Sequence, residues 1–211
     1  MRVINQIEEY AKKISSDLDE LHSFGHFKFV ADNARLIAKA ENCDEKTAYI
    51  VGLMHDLGRV KYKGKWVKET KSSHHGMLSA DMARQFLNKI QFNKRKIKEI
   101  CDAISTHVKP KTQKTKLAKI IWDADKLSFF RKKNSEDYIK LLVKKGMSVK
   151  KAKGEIRYSW SFYYNLFYTK TAKKIAHDYL KSIREKVFRV KGSDWKPPSV
   201  IRKNERKFSD I

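Results

Sequence analysis

The chain has 211 residues, enough for one domain of ordinary size, and its 41% hydrophobic content supports a core and excludes wholesale disorder. A net charge of +24, more than half of it beyond residue 130, would draw polyanions such as nucleic acid, although lysines scattered singly and in pairs suit a solubilising surface equally well. With no run of eighteen apolar residues and an amphipathic start unlike a signal peptide, a soluble, cytoplasmic protein without a membrane partner is expected.

Val3, Ile4, Ile7, Tyr10, Ala11 and Ile14 recur at the spacing of one helical face. A polar connection over 17–25 follows. His26 then opens a longer pattern with Val30, Ala34, Ile37 and Ala38 that ends near Glu41. Asp44 suits the N-cap of a helix running to Asp56, with Gly58 placed to stop it. The basic stretch 59–73, with Gly64 inside, predicts an exposed loop long enough to act as a lid. Ser73 is placed to cap a helix bearing His75, Ser79, Ala83, Phe86, Leu87 and Ile90, and the next helix aligns Ile97, Ile100, Ile104 and His107. After a turn over 109–115, Leu117, Ile120, Ile121, Ala124, Asp125 and Leu127 form a more uniformly apolar helix, expected to be central.

Further helices are predicted around 135–145, 148–168 and 171–189. The aromatic run Tyr158, Trp160, Phe162, Tyr163, Tyr164, Phe167 and Tyr168 could stack on bases, but its helical spacing favours core packing. Pro197-Pro198 and the loss of any period mark 191–211 as a basic tail. Cys43 and Cys101 sit in apolar helical contexts and read as reduced core thiols. No strand pattern and no repeat is present, so the fold class is all-α.

Six polar side chains interrupt these apolar faces: His26, His55, Asp56, His75, His107 and Asp125. Helical neighbours point about 100° apart, so His55 and Asp56 can reach one small object only if it lies across the helix end. Burying such a group unpaired costs roughly 2–7 kcal/mol, and a divalent cation would satisfy all six together. Any one of them alone could instead occupy its own hydrogen-bonded niche, His55 against Asp56 for example. Mixed imidazole and carboxylate donors suit Mn, Fe, Zn, Co or Ni better than Ca, and Mg only weakly.

The order of these residues resembles the HD superfamily of metal-dependent phosphohydrolases, most nearly its compact bacterial and archaeal members, over about 18–130. His22-Ser-Phe-Gly-His26-Phe-Lys-Phe-Val30 is similar to their His-Asp-x-x-His-x-x-Arg-Val opening. His75-Gly-Met-Leu-Ser79-Ala80 is similar to their His-x-x-x-Ser-Ala helix, and Ala103-Ile104-x-x-His107 with Asp123-Ala-Asp125-Lys126-Leu127 to their closing motifs. The resemblance implies one HD-domain helical bundle over 1–190 (motif core 18–130, helical extension 131–190) before the tail 191–211.

The same resemblance implies metal ligation by His26, His55, Asp56 and Asp125, with Asp123 left to support its helix. It also implies a second ion at His75 and His107 with Asp56 bridging, and a substrate or supporting contact at His22, otherwise a surface loop histidine. The implied activity is hydrolysis of a phosphate ester or anhydride, of a nucleotide or other small phosphorylated molecule, by a metal-activated water. Asp56 or Asp125 would orient that water while Arg59 and Lys126 offset phosphate charge. Alternatives are a nuclease or phosphodiesterase on nucleic acid and a di-iron oxygenase of the same fold. Ser23 and Phe29 depart from the opening motif. Arg59-Val60 replaces the Glu-Asp pair of the branch that hydrolyses the ribosomal alarmone nucleotide, which argues against that substrate.

Overall fold

A computed structural model describes residues 2–16, 18, 22–60 and 74–183. These residues are helical, without strands, as the spacing predicts. The lid loop beyond Val60, the Ser73 cap and the basic tail lie outside the described residues. The chain divides into two compact units, one up to Asp125 and one from Lys126 onward. The first holds α1 (Arg2–Ser15), α2 (Phe24–Ala40), α3 (Glu45–Met54), a 3-10 turn (Leu57–Arg59), α4 (His74–Lys89) and α5 (Lys94–Thr106). It closes with α6 (Lys116–Lys126). The second holds a 3-10 turn (Leu127–Phe130), α7 (Lys132–Lys144), α8 (Val149–Leu166) and α9 (Lys170–Ile183).

Local chemistry starts the helices where the sequence places them. Asp44 caps α3 by accepting the Thr47 N–H at 3.0 Å and the Thr47 hydroxyl at 2.7 Å. Lys96 of α5 approaches the same carboxylate at 3.0 Å, tying the start of α3 to its neighbour. Burial works against that charge, but Thr47 and Lys96 together hold the Asp44 carboxyl at about 2. Asn93 and Ser148 cap α5 and α8 in the same way.

The centre of the first unit is α3, in which every residue from Thr47 to Met54 is buried. The apolar α6, expected to be central, buries Ile120 through Asp125 as well. Against α3 lies the small-residue face of α2 (Ala31, Ala34, Ala38), and the crossing is close. A Cβ on Gly52 would stand 2.4 Å from Ala31 Cα, so only glycine lets the two backbones meet.

Two sequence expectations change here. The helix expected to reach Asp56 ends at Met54, and Asp56 leaves helical geometry at φ −110°, ψ 14°. Gly58 was expected to stop the helix through its backbone freedom. Instead it makes room for α4: its added Cβ would lie 2.6 Å from the His75 carbonyl oxygen and 2.7 Å from the Ser79 nitrogen. Its N–H donates to the buried Ser79 Oγ at 2.8 Å, which seats α4 on the 3-10 turn.

In the second unit the aromatic run is largely packing. Trp160 and Phe167 are buried, the Trp160 Nε1–H donates to the Phe129 carbonyl at 2.7 Å, and Phe129 stacks on Tyr163 at 4.4 Å. Cys101 is buried and Cys43 half-buried, both as free thiols. No described helix is long and apolar enough to cross a membrane.

Two glycine replacements should separate close approach from helix propensity. Gly52→Ala meets the Ala31 backbone and should lower stability by about 1–3 kcal/mol or more. Gly154→Ala, with open space around it in α8, should raise stability by about 0.4–1 kcal/mol. Thermal unfolding of both variants checks the pair, and equal shifts would contradict the tight α2–α3 crossing.

Candidate metal centre

His26 stands in the first turn of α2, whereas His55 and His107 stand at the C-caps of α3 and α5. Helix ends leave carbonyl oxygens without intrahelical partners. His55 and His107 use this: the Nδ1–H of His55 donates to the Gly52 oxygen at 2.7 Å, and that of His107 to the Ile104 oxygen at 2.6 Å. Each bond fixes the tautomer, so both Nε2 atoms face inward as bare lone pairs.

Those lone pairs face other imidazole and carboxylate atoms. His55 Nε2 lies 3.2 Å from His26 Nε2, 3.5 Å from Asp56 Oδ2 and 3.7 Å from Asp125 Oδ1. His26 Nε2 lies 3.7 Å and 3.6 Å from the same two oxygens. Four acceptor atoms thus surround one point. The other oxygen of Asp56 makes a second group, with His75 Nε2 at 3.3 Å and His107 Nε2 at 3.4 Å, themselves 3.3 Å apart. Asp56 Oδ1 is buried there without a hydrogen bond, as is His26 Nδ1.

Donors held 2.0–2.2 Å from one ion stand about 3–3.6 Å apart, depending on the angle between them. The His75, His107 and Asp56 Oδ1 atoms fall within that spacing, and the His26, His55, Asp56 Oδ2 and Asp125 contacts lie within it or just above it, so a cation among them would satisfy the clustered lone pairs. His26, His55 and Asp125, and His55, Asp56 and His107, each bring one ligand atom within 4.8 Å of the others, so His and Asp groups are positioned for a divalent metal.

Protonation points the same way. Burial, reinforced by neighbouring His55, pushes His26 down to about 3 against the pull of Asp125 and Asp56. Burial pushes His75 down to about 4, with Asp56 opposing and Arg59 assisting. Burial also lowers His55. It works against the Asp56 carboxylate, but Arg59 and the adjoining imidazoles hold that group well below the usual range. Neutral imidazoles with an ionised carboxylate are the forms that ligate metals.

All six residues singled out in the sequence come together. His22 lies apart from both groups, its ring edge-on to His26 at 6.2 Å between centroids. Arg59 reaches Asp56, its Nε donating to Oδ2 at 2.7 Å. Lys126 begins the second unit, and its ammonium lies over the Tyr163 ring at 5.8 Å. The sequence reading missed the orienting carbonyls of Gly52 and Ile104. The available signal was a histidine at each helix end, three residues after the carbonyl it meets. It also missed Gly76, where a Cβ would lie 2.8 Å from a Val108 methyl and 3.1 Å from the Ser105 carbonyl oxygen, a mark of how closely α4 lies on α5 beside His75 and His107.

The HD domain family model matches residues 23–129. Comparison with the curated proteins finds no match. Among solved structures, the chain is similar to a protein of an uncultured Thermotogales bacterium described as a predicted HD superfamily hydrolase. The two are 26% identical over 88% of this chain and 90% of that one, with a TM-score of 0.62. It is also similar in fold to YpgQ of Bacillus subtilis in complex with ADP, at 19% identity over 90% and 94% of the two chains and a TM-score of 0.68.

The depressed histidines set a pH dependence for the metal-free protein. The unfolded chain takes up protons near pH 6.5, whereas folded His26 and His75 stay neutral down to about 3 and 4. Stability is therefore complete above 6.5 and declines as the pH falls from 6.5 toward 4. Chelator-stripped protein should melt at a lower temperature at pH 5 than at pH 7.5; a flat profile would show that these imidazoles are not held neutral.

Proposed function

The chain belongs to the HD domain family of metal-dependent hydrolases, and on that footing we propose that it cleaves a phosphate ester or anhydride of a nucleotide or other small phosphorylated molecule. The observation behind this is the split carboxylate of Asp56, with one oxygen in each of two acceptor groups. His26, His55, Asp56 Oδ2 and Asp125 would hold one divalent ion. His75, His107 and Asp56 Oδ1 would hold a second. Bound there, such ions lower the pKa of water from 15.7 toward about 7 and polarise the phosphorus–oxygen bond.

The protein's own groups do the rest. The Gly52 and Ile104 carbonyls keep the His55 and His107 rings turned inward, so the ligands need no reorganisation on metal entry. Asp56, held ionised, orients the attacking water. Arg59, committed through Nε to Asp56, keeps its remaining N–H groups for a phosphate oxygen, and its partial exposure leaves them within reach of solvent-borne substrate. Lys126 is the second cation assigned to the transferring group, and His22 is assigned to the substrate side of His26. ADP in the crystal structure of YpgQ makes nucleotides the first substrate class to test.

The four histidines around one bridging carboxylate also suit two iron ions, which favours a di-iron oxygenase as the second reading. Metal analysis after anaerobic purification separates them: oxygen consumption by the iron form supports the oxygenase, and manganese-dependent phosphate release supports the hydrolase. For the hydrolase, His55→Ala and Asp56→Ala should each remove bound metal and lower phosphate release from nucleotides at least ~1,000-fold, the scale of lost metal chemistry. His107→Ala should reduce the bound ions by one. Phosphate release that survives loss of the metal would reject the assignment.

A further inference from the structure

The carboxylate of Asp56 is asymmetric. Oδ2 accepts the Arg59 Nε–H at 2.7 Å, whereas Oδ1 has no hydrogen bond and stands between the His75 and His107 Nε2 atoms. Arg59 is itself held in place. Its backbone N–H closes the 3-10 turn onto the Asp56 carbonyl at 3.0 Å, and the same turn is clamped to α4 through Gly58 and Ser79. The guanidinium thus approaches one of the two oxygens, from the direction of the anchored 3-10 turn.

That direction has consequences because a carboxylate plane is otherwise loosely set: rotation about the last bond of an aspartate side chain is broad and nearly two-fold. A freely turning Asp56 could give both oxygens to the four-donor group of His26, His55 and Asp125, as carboxylates do when they bind one ion in bidentate fashion. His75 and His107 would then lack any anionic donor. An oxygen that accepts from Arg59 on one lone pair can still face an ion with the other.

We propose that Arg59 is a positioning residue whose single hydrogen bond sets the plane of Asp56, so that each oxygen serves a different donor group and the protein holds two divalent ions instead of one. The proposal rests on the two-ion reading of Asp56 given above and adds what enforces it. Its energetic basis is the charge-assisted bond, and replacing such an outer partner of a metal ligand typically weakens metal affinity 10- to 100-fold. The loss should fall on one ion. The four-donor group keeps three ligands that Arg59 does not touch, whereas the group of His75 and His107 depends on Oδ1 for its negative charge.

The test is titration of chelator-stripped full-length protein with Mn2+ alone, read by bound-metal stoichiometry and electron paramagnetic resonance. The wild type should take two ions and show a spin-coupled pair. Arg59→Gln should keep the first ion within a few-fold, weaken the second 10- to 100-fold and show an isolated-ion spectrum at matching Mn2+. Arg59→Lys, whose ammonium can reach the same oxygen, should restore the pair. Arg59→Met gives a second neutral variant should Arg59→Gln not fold; the side chain is 35% exposed, so its replacement leaves the core intact. Two ions bound with wild-type affinity in the neutral variants, or both ions lost equally, would overturn the role of Arg59 alone. A wild type that takes one ion would overturn the two-ion reading with it.

Discussion

Lone pairs facing lone pairs are the constraint around which the first unit is built. His26, His55, Asp56 and Asp125 turn acceptor atoms toward one point, and Asp56 turns its second oxygen toward His75 and His107. Gly52 and Ile104 take the His55 and His107 Nδ1 protons, which leaves both Nε2 atoms bare, and Asp56 Oδ1 accepts no hydrogen bond. In the metal-free state such an arrangement costs folding free energy, since Asp56 Oδ1 and His26 Nδ1 are desolvated without a hydrogen bond. It persists because the surrounding helices are packed too tightly to let the side chains turn away. The cost is the form in which preorganisation for a cation is stored.

The packing that enforces this uses very small residues. α2 and α3 meet where Gly52 lies against Ala31, and the 3-10 turn meets α4 where Gly58 lies against His75 and Ser79. Each close approach sits within a few residues of a histidine or aspartate of the centre. A larger side chain at either crossing would move whole helices, and with them the donors they bear, by a sizeable fraction of a metal–ligand distance. Core packing and site geometry are thus one property in this unit, and the Asp56–Arg59 bond acts on the last degree of freedom, the rotation of a single carboxylate.

Much of this was legible in the sequence. Helix positions followed from apolar spacing, because each helix buries one stripe whatever it packs against. The cap at Asp44 depends only on a residue three positions away. The six ligand candidates stood out as polar residues on apolar faces. Boundaries were less legible: α3 stops at Met54, and the departure of Asp56 from helical geometry lets it diverge from His55 and still face the same point. Periodicity has no resolution at that scale, since one residue past a helix end has no period to violate.

By itself, then, the sequence determined an all-helical chain, the membership of the acidic and imidazole set, and the kind of ion such a set prefers, all of which are local or compositional properties. The division of those six residues was implied only by resemblance, and the tertiary structure supplies the contacts behind it. That Asp56 gives one oxygen to each group and that Gly58 serves α4 instead of ending α3 depend on atoms brought together from 19 to 51 positions apart, Asp56–His75 and Asp56–His107 being the extremes. The same holds for the aromatic run, whose packing role rests on Phe129 lying beneath Trp160 and Tyr163. Side-chain direction at a helix crossing is set by the partner helix, and a one-dimensional pattern contains no information about which partner that is.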